Sequence, residues 1–546
     1  MTRRFFIFLL VFVAVGIAMI TMLTGNQNVS KAQAQYTLTI TPIGPNQTTI
    51  DNIKTGLMNN AAVKQGLKGQ SRILSFELLD RIENGDSLPP DRWRAYIYSY
   101  GNKRAFLTEG NFTDSNITVT TVSGQLDFTS AEEFDDATSV VSSDPKFSGA
   151  FRAGSVRAYP PMPPTSADPQ GKGDRIVNVG ILGGSINQIV GVDMNTRKLV
   201  YYKNNAPTTA IATPSSCGIP GAGQATTARG TAGQFEVVVT DGTTEIWRMV
   251  VIRPSASSGT RASGVELRNV DYRSKRMLGR AHVPILNVLY DGNRCGPYRD
   301  WQWQEGMFTA NGTDVATGVR QCTSVPQSFL QTNNDTGNFR GAAFYVEPAT
   351  GELTIMSEME AGWYRYISEW HLFNNGTLQP RFGFGGVFNS CICNTHNHHA
   401  YFRLDFDIAG TSPNVVSGPA LRSWPNPIAT ELKIIRQGTI DDRLLIKNPA
   451  TGDTVMLTPA LTDGIADSYA VGDMWVLRGK GTSELDDGYN STGGSGTFAQ
   501  LDNFVNSESV SGQDIVVWYR GGFRHIFNDG DAAPHYVGPE ISVVQW

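Results

Sequence analysis

From Phe235 to Trp546 the sequence runs as short segments of alternating apolar and polar residues, with few windows of helical period. A sheet whose apolar side chains all point one way must cover that face with a second layer. About 310 residues of antiparallel strand therefore predict one large two-sheet sandwich, and the fold class expected is mainly β. Composition agrees. With 57 Gly and 27 Pro the chain has too many helix breakers for a helical array, and 40% apolar residues are too many for a disordered one. The hairpin that opens the region is legible as Phe235 to Val239, an Asp241-Gly242 turn, and Glu245 to Ile252.

A length of 546 residues implies two to four domains. Upstream of the sandwich, Thr37 to Thr129 reads as a short strand, a helix over about Thr49 to Leu67, and strands such as Arg94 to Tyr100 and Asn116 to Val122. A second α+β unit opens with a helix around Ala131 to Val141, stops at Asp144-Pro145, and crosses a proline-rich stretch between Pro160 and Pro169. It resumes as strands from Arg175 to Leu182 and Ile189 to Lys203. Pro207 to Gly233 reads as a linker. The expected organisation is a targeting segment (1–35), two small α+β domains (36–130 and 131–206), a linker (207–234) and the sandwich (235–546).

At the N-terminus, Arg3-Arg4 precedes an apolar run from Phe5 to Met19 that continues through Leu23. Ala32-Gln33-Ala34 suits a cleavable signal, and the run is also long enough to span about 30 Å of hydrocarbon as an uncleaved anchor. Both alternatives place everything after residue 35 outside the cytoplasm. Eight Asn-x-Ser/Thr sequons, among them Asn111, Asn116, Asn311 and Asn375, suit an exported surface without proving one. The balance of 45 basic against 50 acidic residues creates no field for nucleic acid, and that class is excluded. Five cysteines predict one or two bridges and at least one free thiol.

The chain holds seven histidines, and three of them fall in Thr395-His396-Asn397-His398-His399. On a strand, residues i and i+2 share a face, so His396 and His398 present two imidazoles together while His399 points away. A His-x-His strand is a chelate for a metal or, alternatively, a plain polar surface. The thiols of Cys391 and Cys393 also share a face, and soft thiolates would suit Cu(I) or zinc if they are not structural.

The order His396-x-His398 followed by Arg403-Leu404-Asp405 resembles the copper-ligand strand of the copper amine oxidases, the quinone-dependent oxidases of primary amines. Trp247-Arg248, Gly264 through Asn269 with Tyr272, and Val288-Leu289-Tyr290-Asp291 look like that family's entry into its catalytic sandwich. Asp514 to Trp518 followed by Gly522-Phe523-Arg524-His525 looks like its last histidine strand, with Asp529 and Pro534 echoing the tail. Tyr364, ahead of an Asn375-Gly376 hairpin, stands where the family tyrosine is converted to topaquinone, although Trp363 and Arg365 replace the family's flanking Asn and acid. Residues 37 to 205 also look like the family's two N-terminal α+β domains.

The resemblance implies copper held by His396, His398 and His525, topaquinone formed from Tyr364, and Tyr290 hydrogen-bonded to the quinone. It implies a homodimer that takes a primary amine and O2 to an aldehyde, ammonia and H2O2. Cys322 stands where the family has half of a disulfide, but Phe344 holds its partner's place, so that bridge is not expected. The family's base is an Asp in an Asp-x-Gly context, and here that register falls on Gln304, which cannot act as a base. A one-residue shift makes Glu305 the expected base, with its pKa raised by burial, and Asp300 the poorer candidate. The altered motif also leaves open a non-catalytic homologue that keeps the fold as a binding or structural protein.

Overall fold

The computed structural model describes residues 36–546 apart from 84–85, 114–115, 123–125, 127, 162–163, 167–173, 184–185, 203–216, 222–226, 294, 296, 390, 419–425, 469–470, 482–483, 488–498 and 527–534. Among the described residues no helix is long and apolar enough to cross a membrane. The targeting segment expected over 1–35, with Asp529 and Pro534, lies outside the described residues.

The first small unit is a four-stranded antiparallel sheet covered by two helices. The helix expected over Thr49–Leu67 is two, Gln47–Asn59 and Ala61–Gly66. Asn60 divides them because its backbone is extended and its side chain accepts hydrogen bonds from the amides of Ala62 and Val63, starting a second helix instead of continuing the first. Ile50, Leu57 and Val63 pack on Phe76, Trp93 and Ile97. In the second unit the helix Ala131–Ser143 begins at Ser130, whose hydroxyl accepts from the Glu133 amide, and lays Ala137 and Val141 on Val177, Val179 and Val190 of a five-stranded sheet. Tyr100 of the first unit donates to Glu133 at 2.7 Å, and Arg175 clamps the same carboxylate at 2.6 and 2.8 Å.

A ten-stranded and a twelve-stranded sheet make up the sandwich. Side chains from both, such as Leu267, Phe402 and Val517 from one and Phe344, Ile355 and Phe382 from the other, share one buried core. The strand Tyr36–Ile43 pairs with Gln234–Asp241 along its whole length and forms the edge of the ten-stranded sheet. It therefore leaves the first small unit to which sequence order would assign it, because Leu38 is buried in the sandwich core.

Three neighbouring strands of the ten-stranded sheet, Lys275–Tyr290, His396–Phe406 and Ile515–His525, face the hairpin pair Leu353–Ala361, Tyr364–Leu372 and Leu378–Gly386 of the other. Both hairpin turns are built on glycine at positive φ: Gly362 (φ 62) just before Trp363 and Tyr364, and Gly376 (φ 85) in the Asn375-Gly376 turn. Disulfides Cys217–Cys393 and Cys295–Cys391 tie down the segment that enters the histidine strand, and Cys322 is a buried free thiol. The bonded state of Cys391 and Cys393 removes them as metal ligands.

Candidate active site

Antiparallel register brings the first part of the site together. Tyr290 pairs with His396 across one strand boundary, and His396 pairs with His525 across the next. Directly opposed residues on adjacent strands share a face, so these three side chains form a lateral row, with His398 two residues along on the same face. The rings of His396 and His398 lie 4.7 Å apart and those of His396 and His525 4.8 Å apart, centroid to centroid. His399 projects to the other side, between Asn287 and Asp467 at 3.0 Å each.

Tyr364 descends on this row from the opposite sheet. Its hydroxyl lies 3.2 Å from His396 Nε2 and shares a short hydrogen bond with the Tyr290 hydroxyl, which also accepts from Trp363 Nε1 at 3.0 Å. Nδ1 of His396 donates to the Asn394 carbonyl at 2.6 Å, so Nε2 is the nitrogen turned toward Tyr364. Burial and the neighbouring Tyr364 push the Tyr290 phenol well above its ordinary pKa, so it stays protonated. Alternation sends Arg365 to the far face, where it forms buried ion pairs with Asp335 at 2.6 and 2.9 Å. The altered residue beside Tyr364 is thus an anchor behind the strand.

His398 is 2% exposed, and its Nδ1 has no hydrogen-bond partner among the described residues. Burial, followed by the neighbouring imidazoles of His396, His525, His399 and His535, drives its pKa well below the ordinary value and keeps it neutral. Three imidazoles, one with an orphaned buried nitrogen, are a donor set that suits a divalent metal with open positions. They are less tightly gathered than the carboxylates of Asp405, Asp407 and Asp514, whose oxygens lie within 4.8 Å of one another.

The two carboxylate candidates sit in opposite electrostatic settings. Glu305 is buried, accepts both Arg253 Nε (2.8 Å) and Nη2, and is also bonded by the Ser255 amide at 3.1 Å and Thr227 at 2.9 Å. Burial alone would raise its pKa, but Arg253 and these donors hold it below the usual carboxylate range. The raised pKa expected for Glu305 is thereby overturned: its oxygens are spent on a structural clamp. Gln304 accepts from Trp301 Nε1 at 2.6 Å. Asp300, 1% exposed, accepts a short hydrogen bond from the Tyr366 hydroxyl, and Tyr366 stacks on Tyr364 with centroids 5.6 Å apart. Its Oδ1 has no partner among the described residues, and burial, only partly offset by Tyr366 and Arg261, pushes its carboxyl up to about 7.

Two residues of the cluster were not singled out from the sequence. Tyr366 is the i+2 neighbour of Tyr364, a signal that alternation makes readable. His535 is not readable in that way: it belongs to the three-residue strand His535–Val537, which pairs with Phe384 of the twelve-stranded sheet. That pairing stacks it on Phe523 at 4.0 Å, 6.1 Å from His525.

Comparison of the whole chain with solved structures decides the fold family. The copper-containing benzylamine oxidase of Hansenula polymorpha superimposes with a TM-score of 0.58 over 92% of this chain and 97% of that one, at 12% identity. The chain shares the fold of the copper amine oxidases. The lysyl oxidase of Pichia pastoris (TM-score 0.55, 12% identity, 92% of this chain and 89% of that one) and an Aspergillus nidulans amine oxidase (0.52, 12%, 94% and 90%) agree. No protein-family model matches the sequence, and no curated protein matches it significantly. The relationship to this fold family is accordingly a divergent one.

Proposed function

We propose that this chain is an exported copper-dependent oxidase of primary amines, working as a homodimer through a quinone derived from Tyr364. The observation that carries the reading is the Tyr364 hydroxyl held between Tyr290 and His396 above a row of three buried histidines. When bound, copper at His396, His398 and His525 and the quinone would supply the two-electron chemistry that converts an amine, O2 and water to aldehyde, ammonia and H2O2. The protein's own part is positional and acid–base. Tyr290, itself oriented by Trp363, holds the oxygen of residue 364. Asp300, in place of Glu305, accepts the proton from the carbon beside the amine nitrogen, and Tyr366 orients it. The non-catalytic alternative loses one of its supports, because Arg365 faces away from the cluster.

Aerobic copper loading followed by phenylhydrazine tests the reading. A coloured adduct is expected in the wild type and none in Tyr364→Phe. A colourless copper-loaded wild type would favour the non-catalytic homologue.

A further inference from the structure

A cavity of about 180 Å³ lies at the junction of the first small unit, the start of the helix Ala131–Ser143 and the sandwich, apart from the tyrosine and histidine cluster. Its wall carries four cations, Lys54, Arg72, Arg229 and Arg261, against one carboxylate, Glu132, which is exposed. Three of the cations are committed elsewhere, Arg261 among them, whose charge acts on Asp300. Arg72 pairs with Asp136 at 2.5 Å; Arg229 pairs with Glu77 at 3.3 Å and donates to the carbonyls of Gly259 and Thr260.

Lys54 differs. It projects from the helix Gln47–Asn59, is half-buried, and has no carboxylate of the described residues within ion-pair distance. Its ammonium lies 5.2 Å from the centre of the Phe76 ring, and burial disfavours its charge more than the more distant Asp51 and Glu132 restore it. A partly desolvated ammonium with no carboxylate in direct contact is stabilised by an anion that enters beside it. Three aromatic rings, Phe76, Phe128 and Trp303, line the same space among aliphatic and polar side chains; Phe76 is backed by Trp93, and Trp303 also receives the Arg229 guanidinium at 5.9 Å. An apolar cavity of about 150 Å³ holds one benzene, so this one has room for a single ring with a small head group.

We propose that this cavity is a binding site for a small aromatic monoanion, with the ring against Phe76 and Trp303 and the carboxylate on Lys54. Lys54, Phe76 and Trp303 are not among the residues assigned to amine oxidation, and the test reads binding without turnover, so it stands or falls independently of that reading. Isothermal calorimetry on the full chain with benzoate, and with benzamide as its neutral isostere, tests it. One benzoate per chain is expected, bound at least about tenfold tighter than benzamide, with a quench of tryptophan fluorescence that Trp303→Phe loses. Lys54→Gln should remove the preference and Lys54→Arg should retain it. Equal affinity for the two probes, no benzoate binding at millimolar concentration, or an unchanged preference in Lys54→Gln would overturn the proposal. The wild-type comparison of the two probes needs no variant to fold.

Discussion

Asp300 and Glu305 are five residues apart and equally buried, yet their surroundings give them opposite chemistry. Asp300 has a pKa raised from 3.8 to about 7 by burial, so its folded form prefers the proton. The neutral form's contribution to stability is full below about pH 4 and is lost as pH rises toward 7, by at most about 1.4 kcal/mol per pH unit. A base must be ionised, so amine-dependent reduction of the quinone should speed up as pH rises through about 7 and level off above it. Asp300→Asn should slow this step by about two orders of magnitude or more in stopped-flow measurements and flatten the stability change between about pH 4 and 7. Retained fast reduction in that variant would remove Asp300 from the mechanism. Glu305→Gln should behave differently, because it leaves Arg253 buried without its counter-ion. Urea denaturation should show a loss of about 3 to 5 kcal/mol, while the rate per folded molecule stays near that of the wild type.

At the scale of elements, the histidine strand is held from three sides: by Lys275–Tyr290, by Ile515–His525, and by the two disulfides just before it. Cys393 lies three residues ahead of His396 and Cys391 five, and their bridges close loops of 176 and 96 residues. Cross-links over loops of that length mainly restrict the unfolded chain. Cys393→Ser is therefore expected to lower stability by about 2 to 5 kcal/mol and to speed release of copper to a chelator, which denaturation and a colorimetric chelator assay would check. Unchanged copper release would show that the strand pairing alone fixes the imidazoles.

The complete molecule brings the site together, since Tyr364 belongs to one sheet of the sandwich and the histidines to the other. Copper bound only by the closed sandwich should stabilise it, by about 2.7 kcal/mol at a free concentration one hundred times the Kd. Scanning calorimetry should thus show a midpoint that rises with copper and falls back on chelation, while the far-ultraviolet circular dichroism of the strands stays unchanged. An identical midpoint with and without copper would argue against a metal centre within the fold.

Local patterns were legible in the sequence because they depend only on period and turn chemistry: the β-rich second half, the Asn375-Gly376 hairpin, the shared face of His396 and His398, and the helix after Ser130. A resemblance of motif order pointed to the fold family and to Tyr364. The sequence could not decide which carboxylate approaches the tyrosines. Gln304, Glu305 and Asp300 sit in one irregular stretch where spacing carries no directional information, and the choice was made by Arg253 reaching Glu305 and Tyr366 reaching Asp300 from elements 52 and 66 residues away. The edge position of Tyr36–Ile43, the disulfide pairing and the approach of His535 were likewise decided by tertiary structure alone. Each joins segments distant in the chain, and only the closure of the two sheets brings them into contact.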